Sequence, residues 1–140
     1  MQKIIYDFGA NNGDNIPYYL LKSDLVIAVE ANPELCNLIK SRFNKEIEDK
    51  KLIVENCILI SKMPSPTNKF YLHKERHLLS QFPKPGPDLL YKFNEVTINS
   101  KNVIEIIKKY GEPYYIKIDL ENYDHIILKE IFINNIKPKY

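Results

Sequence analysis

Tryptophan is absent from these 140 residues, and cysteine and glycine are sparse, at two and four copies. Cys36 and Cys57 stand far apart and belong to no CxxC pair or metal-ligand spacing. That argues against a disulfide framework and for two reduced, largely buried thiols in an intracellular protein. No apolar stretch is long enough to span a bilayer, and "MQKIIYDFGA" runs straight into a strand and turn with no apolar leader, so the cytoplasm is the expected location. An excess of one charge is also missing. Twenty Lys and Arg oppose eighteen Asp and Glu, and a net +2 implies neither a nucleic-acid nor a membrane partner. There are no internal repeats or low-complexity tracts. What is present, 44% apolar and 27% charged residues, is the composition of one ordinary globular domain, expected over residues 1–140.

"KIIYDF" reads as a short strand and "DNIPYYLLK" as a short helix starting near Asp14, because Pro17 must lie in a first turn that needs no amide hydrogen. "DLVIAVE" is the near-continuous apolar run of a strand covered on both faces, and it stops at Glu30. In "ANPELCNLIKSRF", Asn32 is a candidate N-cap, Pro33 sits at the first helical position, and Leu35, Leu38, Ile39 and Phe43 recur at helical spacing. "KLIVENCILIS" reads as a third strand. The proline-rich run that follows it reads as loop, with a hairpin possible around "KFYLH". "KFNEVTIN" is a further strand and "SKNVIEIIKKYG" a helix capped by Ser100 or Asn102 and stopped by Gly111. "PYYIKIDLEN" is a buried strand ending in acids, and "YDHIILKEIFIN" a final helix. Strands alternating with helices mean an α/β fold, a Rossmann-like, mostly parallel sheet flanked by helices.

In such a sheet, ligands bind at the carboxyl ends of strands where the strand order reverses. "YDFGANNGDN" falls there, and its glycines allow a ligand close to the main chain beside a helix N-terminus. The run departs from G-x-G-x-x-G, since Asn11 holds the middle glycine's place, and Gly13 is followed by Asp14 rather than the Lys of a phosphate loop. Asp7 would repel a pyrophosphate but suits a ligand carrying an ammonium or sulfonium. S-adenosylmethionine has that charge pattern, with a carboxylate for the helix N-terminus. Glu30, seventeen residues after Gly13, stands near the spacing of an acid that bonds both ribose hydroxyls. By itself the Asp7, Gly9, Gly13 pattern fits a plain strand-turn-helix junction equally well; Glu30 is the independent second element.

Together "YDFGANNGDN", "VIAVEANP" and "YYIKIDLENYDHIILKEI" resemble the FkbM-like family of S-adenosylmethionine-dependent methyltransferases. The resemblance implies a class I methyltransferase core that O-methylates a hydroxyl of a sugar or other small molecule. Carried over by position, Asp7, Gly9, Asn11 and Gly13 would hold the methionine part and Glu30 the ribose, with Ala31 beside it counted among the cofactor-binding residues. Glu55, Asn56 and Cys57 would lie near the adenine. Where the family reads K-I-D-x-E-G-x-E, this chain has Asn122 for the glycine and Asp124 for the last acid. The family's sheet also continues past the final helix, whereas this sequence stops at "NNIKPKY", so the core is expected to lack its last strands. Either the sequence is that of a fragment or shortened relative, or the open edge of the last core strand is covered by another chain, as a homo-oligomer or partner, or by the proline-rich insert.

For methyl transfer, a protein positions the acceptor and removes its proton. Asp119 and Glu121 are the candidate catalytic residues, as base or as a pair holding a divalent cation, although no metal site is assigned. Capping of the next helix by Glu121 and Asp124 explains the acids as well. His73 and His77 lack the zinc-protease pattern and read as loop or surface residues, and the tyrosines read as core rather than as base-stacking groups. The sequence therefore leaves three readings: a methyltransferase of small-molecule or carbohydrate hydroxyls, a shortened non-catalytic module that keeps the fold, and another nucleotide-binding α/β protein.

Overall fold

The computed structural model describes residues 1–62 and 65–140. Its main sheet has four parallel strands in the order β3-β2-β1-β7, where β1 is Ile4–Phe8, β2 Leu25–Glu30, β3 Leu52–Asn56 and β7 Pro113–Ile118. From β1 the chain moves outward through β2 to β3, and β7 returns on the other flank of β1. The strand order therefore reverses between β1 and β7, the place where a binding crevice opens.

Alternation along β1 explains the two layers around this sheet. Ile4, Tyr6 and Phe8 face helices α4 (Val103–Tyr110) and α5 (Asp124–Ile133), packing with Ile104, Ile107, Ile127 and Ile131. Ile5 faces the other way, toward α1 (Ile16–Lys22) and α2 (Pro33–Arg42), with Val26, Ile16, Tyr19 and Ile39. Each fully buried side chain of this kind contributes about 1.5–3 kcal/mol. The short α3 (Asn44–Glu48) leads into β3.

Several helix limits follow their local chemistry. Asn32 accepts the Glu34 amide at 3.0 Å ahead of Pro33, and Asn102 accepts the Ile104 amide at 2.8 Å to open α4. Gly111, at φ 125°, stops α4. α1 begins at Ile16, two residues later than its proline indicated, because Asn12 and Asp14 bond each other in a turn instead.

The third strand differs from expectation. "KLIVENCILIS" breaks at Cys57, with β3 in the main sheet and β4 (Ile58–Ile60) in a second sheet of order β4-β6-β5. Asn56 sits opposite Glu30, the end of β2, and its amide donates to the Glu30 and Ala31 carbonyls at 2.9 and 3.0 Å. With no more β2 to pair, the chain turns away to β6 (Phe93–Asn102). β5 (Thr67–His73) pairs antiparallel with β6 over seven residues, so the hairpin possible around "KFYLH" is a full arm of this sheet. His73, expected on a loop or the surface, is a buried strand residue stacked edge-on against Phe93 at 5.0 Å. β7 is half-buried rather than buried, because it forms an edge of the main sheet. Its outer backbone meets Tyr140, whose amide donates to Tyr114 at 3.1 Å and whose carbonyl accepts from Ile116 at 3.3 Å. Among the described residues no helix is long and apolar enough to cross a membrane.

Candidate functional site

The loop after β1 is held from both sides. The Gly9 and Ala10 amides donate to the Val29 carbonyl at 2.9 and 3.0 Å, at the end of β2. On the β7 side, a side chain on Gly9 (φ 84°) would meet the Asp119 carbonyl oxygen at 2.1 Å, so only glycine fits. Asn11 takes a left-handed backbone, φ 54°, that asparagine tolerates. Its amide then donates to Glu30 Oε1 at 2.8 Å, while the Asn32 amide donates to Glu30 Oε2 at 2.8 Å. Glu30, only 8% exposed, thus ties the two loops together, and burial pushes its carboxyl upward against the pull of those amides.

A cavity of about 310 Å³ opens at these strand ends. Gly9, Asn11, Glu30, Ala31, Cys57, Asp119 and Glu121 all line it, so seven of the eleven residues singled out in the sequence converge on one space. Burial drives the Cys57 thiol to about 12, leaving it an apolar wall group rather than a nucleophile. Asp119 is open to water, its side chain 72% exposed.

Asp7, Gly13, Glu55 and Asn56 do not line the cavity. Asp7 lies on the α1 side of β1 beside Lys117 of β7, whose Nζ is 3.0 Å from Asp7 Oδ1 and 2.6 Å from the Gly9 carbonyl oxygen. The Asp7 oxygens accept no aligned hydrogen bond, which makes the contact an ion pair, and burial pushes the carboxyl upward while Lys117 pulls it down. Gly13, at φ 83°, packs against Ile39 and Phe43 and lets the chain enter α1. Glu55 is instead bonded by Lys101 at the end of β6, at 2.5 Å, and by the Tyr110 hydroxyl of α4. Asn56 is spent on the β2 carbonyls. The start of α1 does not reach the cavity either, whose wall on this loop ends at Asn11.

The other wall comes from the segment read as loop. A 3-10 turn, His77–Leu79, and Ser80, Gln81 and Phe82 after it close over the space. Gln81 exchanges backbone hydrogen bonds with Tyr71, and its side chain accepts from Asn122 at 3.1 Å. Phe82 stacks edge-on against Tyr123 at 5.1 Å, and His77 Nδ1 lies 3.4 Å from the side-chain Nδ2 of Asn32. Asn122 has φ 60°, a left-handed position that favours glycine and admits asparagine. Asp124 accepts the Leu120 amide and so fixes the turn carrying Asp119 and Glu121. No local signal marked residues 77–82. Their placement follows from the β5–β6 pairing. Among the described residues, no three His, Cys, Asp or Glu side chains are grouped so as to hold a metal ion.

Residues 7–140 match the family model of the methyltransferase FkbM domain. A search of curated proteins finds no match. Among solved structures, the chain is similar to the methyltransferase FkbM from Methylobacillus flagellatus KT, with a TM-score of 0.60 and 16% identity. The similarity covers 98% of this chain and 31% of that one, so the chain spans about a third of that protein's length, and at this identity the likeness is one of fold.

Proposed function

The chain belongs to the FkbM methyltransferase family, and from that premise we propose that it binds S-adenosylmethionine in the cavity beneath residues 77–82 and methylates a hydroxyl of a small molecule or glycan. Glu30 carries this reading. It is a buried carboxylate on the cavity wall, and each of its oxygens already accepts one backbone amide. A carboxylate has roughly four lone-pair positions, so about two remain, and the paired hydroxyls of a ribose meet that demand. The volume falls at the small end of ligand sites, and the apolar wall of Leu35, Cys57, Ile58 and Leu59 suits a flat base. Gly9 and Asn11 offer main chain at the loop where a methionine part would lie. Asp7 supports the site through Lys117 rather than by direct contact.

S-adenosylmethionine, when bound, supplies a methyl group on a sulfonium open to in-line displacement. The chain's own task is then to hold the acceptor and take its proton. Asp119 and Glu121 share the cavity with Glu30, and an acceptor hydroxyl set against either carboxylate passes its proton there. Two free, buried thiols accord with a reducing, cytoplasmic setting. The exposure of Asp119 favours one alternative, a module that keeps the fold and ligand without turnover, since a base this open to water lacks the shielding that sharpens proton transfer.

Calorimetry with S-adenosylhomocysteine tests the donor site. Wild type should bind and Glu30→Ala should bind at least about tenfold more weakly; no heat from wild type removes the reading. Transfer of a labelled methyl group to a panel of sugars, abolished in Asp119→Asn or Glu121→Gln, supports the enzyme, whereas binding without transfer favours the module.

A further inference from the structure

A second hollow, about 570 Å³, lies on the far side of the 3-10 turn, and Leu79 borders both it and the first cavity. Its wall carries Lys74, Arg76 and Lys92 against one acid, Glu75. Among the described residues none of these three cations makes an ion pair, although Lys69, Lys101, Lys109 and Lys117 all do. The hollow is shaped by local bonds rather than by chance proximity. The His73 ring, buried at the end of β5, accepts the amides of Glu75 and Arg76 at 3.2 and 3.0 Å. The Lys74 amide donates to the Lys92 carbonyl at 2.9 Å, and Ser80 accepts the His73 amide at 2.9 Å. These bonds bring two cations from the turn after β5 and one from the turn before β6 around one space.

The charge is segregated as well. Residues 62–102 hold seven Lys or Arg against three Asp or Glu, whereas the rest of the chain holds thirteen against fifteen. The first cavity is acidic at Glu30, Asp119 and Glu121, so a ligand that bridged the two would be polarised in the same sense. Unpaired cations around a concave space attract an oxyanion, and an Arg with two Lys can surround one with charge-assisted hydrogen bonds.

We propose that the hollow lined by Lys74, Arg76 and Lys92 binds an oxyanion, a phosphate or carboxylate, carried by the methyl acceptor, whose hydroxyl reaches across Leu79 toward Asp119 and Glu121. Calling the oxyanion's carrier the acceptor rests on the methyltransferase reading; the anion site does not.

The probes are glucose 6-phosphate, glucuronate and glucose, titrated into the full chain and followed by calorimetry and by amide shifts in the NMR spectrum. At least one charged sugar should bind, more weakly as salt rises, with shifts centred on residues 73–79 and 91–92, and whichever of the two binds names the oxyanion. Lys74→Gln/Arg76→Gln/Lys92→Gln should weaken that binding at least about tenfold, and Lys84→Gln, elsewhere on the insert, should not. S-adenosylhomocysteine should bind the triple variant and wild type alike. Equal binding of glucose, no binding of either charged sugar, or an unaffected triple variant overturns the proposal and leaves the donor site standing. A chain that binds the charged sugar there but not S-adenosylhomocysteine keeps the anion site and loses the methyltransferase reading.

Discussion

Lys117 on β7 reaches across to Asp7 on β1, with Nζ 3.0 Å from Oδ1, and the same ammonium holds the carbonyl of Gly9 and lies 4.0 Å from Asp119. One cation thereby joins the first strand, the glycine loop after it and the turn of the candidate base. Both partners are largely buried, so losing one leaves the other charge stranded, at a cost of about 3–5 kcal/mol. Lys117→Met should lower stability in urea by about 3 kcal/mol, and Lys117→Met/Asp7→Asn should recover part of the loss. Strictly additive single losses in the double variant would show that the pair is not coupled.

Glu30 accepts two loop amides, and glutamine can replace only one of those acceptors. Glu30→Gln should therefore cost about 1–3 kcal/mol from one unsatisfied amide and weaken S-adenosylhomocysteine about tenfold. Urea unfolding and calorimetry on the same preparation measure both; a variant with wild-type affinity would remove Glu30 from the proposed ribose site.

Gly9 and Gly13 share a left-handed backbone but differ in their neighbours. At Gly9 a methyl group meets fixed backbone at 2.1 Å, whereas at Gly13 it meets the side chains of Ile39 and Phe43 at 3.1 Å. Gly9→Ala should lose more than about 2 kcal/mol and the ligand with it, and Gly13→Ala should lose less. Thermal melts of the two variants give the order, and a reversed order would contradict the packing.

Glu55 supplies the pH dependence. Burial pushes its carboxyl upward, but the bonds from Lys101 and Tyr110, with Lys109 nearby, outweigh that and hold it below the ordinary value. Its folded pKa is thus below its unfolded one, about 4.3. The stability it contributes is present above about pH 4.3 and is lost as pH falls through the folded value. Glu55→Gln should be less stable than wild type at pH 7 and flatter in its urea midpoint between about pH 5 and 3. Parallel curves for the two proteins would refute the assignment. Glu30, shifted upward by burial, has the opposite sign: its contribution is present below the unfolded value and lost as pH rises through the folded one.

Much of this site is legible locally. Asn32 and Asn102 announce their helices by short-range capping, Gly111 ends one by its backbone freedom, and Glu30 stands at a strand end because the apolar run of β2 stops there. Asn122, which breaks the family's glycine pattern on paper, keeps the left-handed turn that the glycine would make. Asp7 could not be placed in the same way. Its strand is plain from sequence, but its partner, Lys117, lies 110 residues on and is set beside it by the β1–β7 register.

The sequence by itself determined the alternation of strands and helices, the glycine loop and the two acids at successive strand ends, because these rest on periodicity and on bonds between near neighbours. Only the tertiary structure decided that β3 and β4 part at Cys57, that Asp7 serves Lys117, and that residues 77–82 close the cavity. Those outcomes depend on which strand edges are free to pair and which buried charges must be matched, and neither exists until the chain has packed.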